Sequence, residues 1–208
     1  MKSLFSMTLD PQPHHRRSIR LKGYDYAQVG AYFVTICTQN RECLFGEIRD
    51  GQISLNDAGQ MVGRWWDELT RKFPAVETDA YVAMPNHFHG VILVGAALCG
   101  RPEPESNVYA TSGHPHRGAP TLGDIVDWFK TMTTNEYIRE VKRQGWPPFP
   151  GRLWQRNYYE RVIRNDDELC HIREYIANNP LRWAVDVENP DRNDRCDEVS
   201  PKGFLEIL

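Results

Sequence analysis

Apolar and polar residues change rhythm several times along this chain, and each change predicts an element. Residues 1–23 have no period and contain Pro11 and Pro13, which predicts an extended arm. GAYFVTICTQN, from Gly30, is rich in aromatic and β-branched residues and predicts a strand. In LFGEIRDGQISLN, Asp50-Gly51 separates two short extended pieces, a hairpin signal. Asn56 or Asp57 can cap a helix running to about Lys72, with Met61, Val62, Trp65, Trp66 and Leu69 on its apolar face and Pro74 ending it. TDAYVAM predicts a strand, and HFHGVILVG, after Pro85-Asn86, predicts another. Residues 95–120 are rich in Gly, Pro and Ser and read as a loop or insertion. Thr121 then caps LGDIVDWFKTMTTNEYIREVKRQ, whose apolar stripe is Leu122, Ile125, Val126, Phe129, Met132 and Ile138. WPPFPG interrupts the chain, and RLWQRNYYERVIR reads as a strand. Asp166-Asp167 opens a last helix, DELCHIREYIANN, stopped by Pro180.

The order is β-hairpin-α-β-β-α-β-α. Its β-α-β-β-α-β core predicts an α+β fold: a ferredoxin-like antiparallel sheet with helices on one face. The additional C-terminal helix is expected to cross the sheet or lie on its open face. A chain of 208 residues suits one domain. It is expected to span residues 24–184, between the arm and a C-terminal tail, 185–208, that is acidic, poor in apolar residues and expected to pack loosely. No apolar run approaches the roughly 20 residues of a membrane helix. The N-terminus lacks the pattern of a secretory signal, so neither a membrane nor secretion is expected. Five cysteines, widely spaced and without a C-x-x-C pair, suggest neither a disulfide framework nor a zinc ribbon, and fit a reducing cytoplasm.

The net charge of −3 argues against a uniformly basic DNA-coating protein, but its distribution is uneven. Residues 11–23 carry four basic side chains, Arg16, Arg17, Arg20 and Lys22, and no acidic ones. Residues 139–164 carry seven basic against two acidic, and residues 165–208 carry five basic against eleven acidic. The two basic stretches can contact phosphates, or they can be solvated surface.

Candidate chemistry begins with His87 and His89. On a strand, residues i and i+2 face the same way, so both imidazoles can hold one metal ion and leave its other side open. The same pattern also suits an ordinary structural pair. A second pair, His114 and His116, lies in the Pro/Gly-rich loop without a strand to fix it. On the last helix, Tyr175 and Asn179 are four apart and share a face beside the apolar edge Leu169, Ile172 and Ile176, with His171 one turn earlier. Each has a bland reading, as a packed ring and as a helix-end residue.

Together MPNHFHGVILV, GAYFVTICT, LGDIVDWFKTMTTN, WQRNYYERVIR and EYIANNPLRW resemble the single-tyrosine HUH transposases, above all the REP-associated tyrosine transposases, over about residues 17–183. The resemblance implies that His87 and His89 are metal ligands with Phe88 between them. It implies that Tyr175 is the nucleophile and that Asn179 completes the site where the insertion-sequence branch usually has Gln. It further implies a divalent cofactor, Mg²⁺ or Mn²⁺, and a metal-dependent single-stranded DNA endonuclease and strand transferase acting near a hairpin through a 5′-phosphotyrosine. The expected partner is single-stranded or hairpin DNA, the expected state monomer or homodimer, and the expected location the cytoplasm, at the nucleoid. Arg16, Arg17, Arg20, Lys22, Lys130, Arg152, Arg156 and Arg161 are the candidate phosphate contacts, with Trp154 and Tyr158 available to stack on bases. Two other functions stay open: a catalytically silent hairpin-binding regulator, and a phosphoesterase that uses water and leaves Tyr175 structural.

Overall fold

A four-stranded antiparallel sheet organises the chain in the computed structural model, which describes residues 29–95 and 120–192. The strands are β1 (Gly30–Cys37), β4 (Val76–Ala83), β5 (His87–Val94) and β6 (Tyr159–Ile163), in the spatial order β4-β5-β1-β6. Strand β1 lies in the interior and pairs with β5 on one side and β6 on the other. A separate hairpin, β2 (Gly46–Arg49) and β3 (Gln52–Leu55), turns at Asp50 and Gly51, both with positive φ, as the Asp-Gly signal predicts.

Two helices form one cover. Asn56 caps α1 (Asp57–Asp67) by accepting from the Gly59 amide; a short α2 (Leu69–Lys72) follows. The single helix expected over this stretch is thus broken at Glu68. Thr121 and Asp124 form a reciprocal capping box at the start of α3 (Leu122–Gln144), and Gly145 ends it in the left-handed conformation. The main core lies between these helices and one sheet face, with Tyr32, Val34, Ile36, Phe88, Ile92 and Val94 meeting Met61, Val62, Trp66, Ile125, Val126 and Phe129. Between α1 and α3, Glu136 accepts from the Trp65 indole and pairs with Arg64.

The last helix, α4 (Asp166–Asn178), covers the opposite face. Leu169, Ile172 and Ile176 pack on Phe33, Val91, Leu93 and Ile163, a second and smaller core. Arg173 adds a two-pronged ion pair with Asp79, which sits where the β4–β5 register shifts. The antiparallel α+β class expected from the sequence is the class observed, with the extra helix on the open face.

Two further expectations need correction, those for residues 152–164 and for the start of the tail. Only Tyr159–Ile163 of the expected strand 152–164 is a strand. The Lys130 ammonium on α3 holds the carbonyls of Gln155, Arg156 and Asn157, so they are not offered to β1, and Trp154 is buried beneath. Pro180 does end α4, but the chain continues in a 3₁₀ turn, Pro180–Val185. Residues 186–189 are not loosely packed: Arg41 pairs with Glu188 at 3.0 Å and donates to the Val187 carbonyl, and Asn189 is buried. Arg16, Arg17, Arg20, Lys22, the His114–His116 pair and the tail beyond 192 lie outside the described residues. No helix among the described residues is long and apolar enough to cross a membrane.

Candidate active site

Alternation along β5 decides what each of its residues does. Phe88 and Ile92 point into the main core, while Val91 and Leu93 point toward α4. By the same period, His87 and His89 share the α4 face. Gly90 is where the backbone must come close: a Cβ there would lie 2.3 Å from Cζ2 of Trp66. Chemistry and core packing therefore occupy opposite faces of one strand. Both histidines are buried, with ring centroids 4.6 Å apart.

Helix α4 brings the other two candidates to them. The Tyr175 hydroxyl lies 3.5 Å from Nε2 of His89, and Phe33 supports both rings, stacked on His89 and edge-on to Tyr175. Asn179 follows α4 as its C-cap and is buried, with its side chain beside both Tyr175 and His87. Two atoms in this cluster, Nε2 of His87 and Oδ1 of Asn179, are buried and hydrogen-bonded to nothing among the described residues. Buried polar atoms rarely stay unpartnered, and when they converge an ion is one way to satisfy them. With Nε2 of His89 they form a set of two imidazole nitrogens and one amide oxygen. No cluster of three or more His, Cys, Asp and Glu that could hold a metal occurs among the described residues, so a metal here depends on the Asn179 amide.

The far side of each imidazole is also engaged. Nδ1 of His89 meets the Thr35 hydroxyl at 2.8 Å, and Nδ1 of His87 meets Oδ1 of Asn86 at 2.9 Å. Partners of this kind fix ring orientation in metal sites. Thr35 is carried by β1, where it lies opposite His89 in register. Trp183, in the 3₁₀ turn, brings its ring to 6.0 Å from that of His87.

Burial dominates the electrostatics. It pushes His87 down to about 4, against the opposing pull of the Asp186 carboxylate and the nearby Asn179 side chain, and burial, helped by His87, holds His89 well below its usual value, so both rings are neutral at pH 7. Neutral imidazole is the form that ligates a metal. Burial, reinforced by Asp186, pushes the Tyr175 phenol up to about 12, with the Asn179 hydrogen bond and the Arg182 charge opposing. Unaided, Tyr175 is protonated at neutral pH.

The structure thus brings His87, His89, Tyr175 and Asn179 together, and divides the candidate DNA contacts. Trp154 is buried, with its indole donating to Thr133, so it has no face to offer a base. Lys130 gives its ammonium to three carbonyls beneath the Tyr158 ring, and burial pushes it down to about 8. Arg161 pairs with Glu168 at 2.6 Å. Tyr158 is half-buried against the main core. Arg152 and Arg156 are exposed. Thr35, Asn86, Trp183 and Asp186 escaped the sequence reading. Asn86 was legible as the neighbour of His87 inside the Pro-Asn turn; nothing in the sequence links Thr35 or residues 183–188 to the histidines.

No family model matches the chain. An "Uncharacterized protein" of Haemophilus influenzae is 43% identical over 174 residues, 83% of this chain and 92% of its own length. A second Haemophilus influenzae protein, named "Putative REP-associated tyrosine transposase", is 25% identical over 163 residues, 76% of this chain and 74% of its own. Among solved structures, a REP-associated tyrosine transposase bound to a REP hairpin aligns with a TM-score of 0.49 at 20% identity, over 78% of this chain and 73% of that one. A protein described as a "putative transposase" of Deinococcus radiodurans aligns with a TM-score of 0.40 at 17% identity, over 76% of this chain and 97% of its own.

Proposed function

We propose that the chain is a member of the REP-associated tyrosine transposase family and that it cuts and rejoins single-stranded DNA beside a hairpin, with Tyr175 as nucleophile. The observation that carries the reading is the convergence at α4: a tyrosine hydroxyl 3.5 Å from one imidazole nitrogen, beside a second imidazole nitrogen and an amide oxygen that are both buried without hydrogen-bond partners among the described residues.

His87, His89 and Asn179 would hold Mg²⁺ or Mn²⁺ through Nε2, Nε2 and Oδ1. A divalent cation held there would supply Lewis-acid stabilisation of the charge that builds on the oxygens of the scissile phosphate. Oη of Tyr175 bonds to phosphorus as the P–O3′ bond breaks, leaving a 5′-phosphotyrosine and a free 3′-OH; the phenol loses a proton and O3′ gains one. The new ester stores the energy of the broken linkage, so another strand's 3′-OH can reverse the step without ATP. Phe33 and the α4 core hold the phenol in place, the positioning that such a displacement requires. Arg152 and Arg156 remain the exposed basic candidates for the phosphate backbone among the described residues; Arg16, Arg17, Arg20 and Lys22 are proposed to extend that track.

The test is a labelled single-stranded oligonucleotide carrying an imperfect hairpin, incubated with Mg²⁺ or Mn²⁺ and run on a denaturing gel. A protein–DNA adduct that survives SDS, absent in Tyr175→Phe and in His87→Ala, is the expected result. Hairpin binding without cleavage in either metal would instead mark a silent binding protein, and cleavage by Tyr175→Phe would mark a phosphoesterase using water.

A further inference from the structure

Asn86 stands immediately before the first histidine, in the turn between β4 and β5, and is fully buried. Its side chain makes three hydrogen bonds, and two of them identify its ends. Nδ2 donates to the carbonyl of Arg41 at 3.1 Å and to that of Glu188 at 2.6 Å. Backbone carbonyls only accept, so the group facing them is the NH₂. The opposite end, Oδ1, faces Nδ1 of His87 at 2.9 Å. An amide oxygen also only accepts, so Nδ1 carries the hydrogen. A neutral imidazole has one N–H, and Nε2 is left with its lone pair. That is the nitrogen buried beside Asn179 without a hydrogen-bond partner among the described residues. His89 is different: the Thr35 hydroxyl can donate or accept, so its contact dictates no tautomer.

The amide is itself braced. The Thr38 amide donates to the Asn86 carbonyl at 2.8 Å, and Met84 to that of His87 at 2.8 Å. The Arg41 guanidinium donates to Val187 and pairs with Glu188. Segments 38–41, 84–87 and 186–189 therefore converge on one side chain.

We propose that Asn86 is a positioning residue of the metal site: it selects Nε2 as the ligating nitrogen of His87 and locks the ring by the same network that holds residues 186–189. The inference rests on the metal-dependent reading above. A ring whose tautomer is set before the ion arrives needs no rearrangement on binding, and partners of this type are worth roughly 10–100-fold in metal affinity.

The experiment uses the full chain with Asn86→Ala and Asn86→Asp. Long-range ¹⁵N–¹H NMR of the metal-free protein at about pH 8, where imidazole is neutral, reads the tautomer of His87. Mn²⁺ alone is then titrated and its free fraction followed by EPR. The wild-type protein is expected to show the Nδ1–H tautomer. Asn86→Ala is expected to show a tautomer mixture and a Mn²⁺ affinity lower by roughly 10–100-fold. Asn86→Asp keeps an acceptor at Nδ1 while losing both donated bonds, so it is expected to keep the Nδ1–H form and bind Mn²⁺ more tightly than Asn86→Ala. An unchanged tautomer in Asn86→Ala, or Asn86→Asp as weak as Asn86→Ala, overturns the proposal. If Asn86→Ala does not fold, the tautomer in Asn86→Asp decides alone, and a mixture there overturns it. Absence of Mn²⁺ binding by the wild-type protein removes the metal-dependent reading and this proposal together; a tautomer indifferent to Asn86 removes the proposal only.

Discussion

Ile172→Ala separates the two cores by their effect on chemistry. Ile172 is buried on α4, three residues before Tyr175, within a small core completed by Phe33, Val91, Leu93, Ile163, Leu169 and Ile176. Truncating a fully buried Ile to Ala costs about 2–5 kcal/mol, through lost transfer energy and the cavity left behind. At about 2–4 °C per kcal/mol for a chain of this size, the melting temperature falls by roughly 4–20 °C. Ile125→Ala, in the main core under α3, removes the same atoms from an equally buried site and is expected to cost a similar amount. The two variants should part in single-turnover adduct formation, measured far below either melting point. A helix that settles by about 1 Å moves Oη of Tyr175 relative to the histidines, and misplacement of that size costs on the order of 100-fold. Ile172→Ala is therefore expected to slow the reaction roughly 10–100-fold and Ile125→Ala by less than about threefold. Equal slowing by both, or a normal rate in Ile172→Ala, would refute the assignment of the small core as the foundation of the site.

Lys130→Met is expected to lower the melting temperature, because three carbonyls lose their donor, yet leave the salt dependence of oligonucleotide binding unchanged; Arg152→Ala or Arg156→Ala is expected to reduce the log–log slope by about one. Asp79 is held below the usual carboxylate range first by its hydrogen bonds from Arg173, so the pair's contribution is complete above the unfolded value of about 3.9 and is lost as pH falls through the lower folded value. The partners are partly exposed, which limits the pair to about 1 kcal/mol or less. The melting-temperature gap between wild type and Asp79→Asn should therefore close as pH falls below the unfolded value of about 3.9, and a gap that persists in acid would refute the ionic origin. Because burial keeps the Tyr175 phenol protonated at neutral pH, adduct formation should rise with pH between about 6 and 9; a flat profile would show that phenol ionisation does not limit the step.

What the sequence made legible follows from how local each signal is. Period-2 alternation in HFHGVILV is enough to put both histidines on one face, and helical spacing is enough to put Tyr175 and Asn179 on another. The capping box at Thr121 and the turn at Asp50-Gly51 are equally local, and both elements appear where expected. The failures are long-range. Nothing in RLWQRNYYERVIR shows that Lys130 will take its carbonyls, or that Trp154 will be buried where an exposed stacking ring was expected. The acidic character of residues 185–208 predicted loose packing, yet Arg41 and Asn86, some 100 to 150 residues earlier, anchor positions 187–188. Composition describes a segment and says nothing of the partner waiting for it.

The position of α4 also sets an order in time. Tyr175 follows His89 by 86 residues, and α4 rests partly on Ile163 of β6, the last strand among the described residues. At translation rates of about 5–20 residues per second, the ribosome carries a chain with both histidines for roughly 4–17 s before the tyrosine is even polymerised. Through that interval the chain has the two imidazoles but neither the Asn179 amide that would complete a cation's ligands nor the tyrosine proposed to break a strand. A chain truncated anywhere before α4 inherits the same disability. In a protein whose proposed work is to cut DNA, the reactive group is among the last pieces of the fold to be put in place.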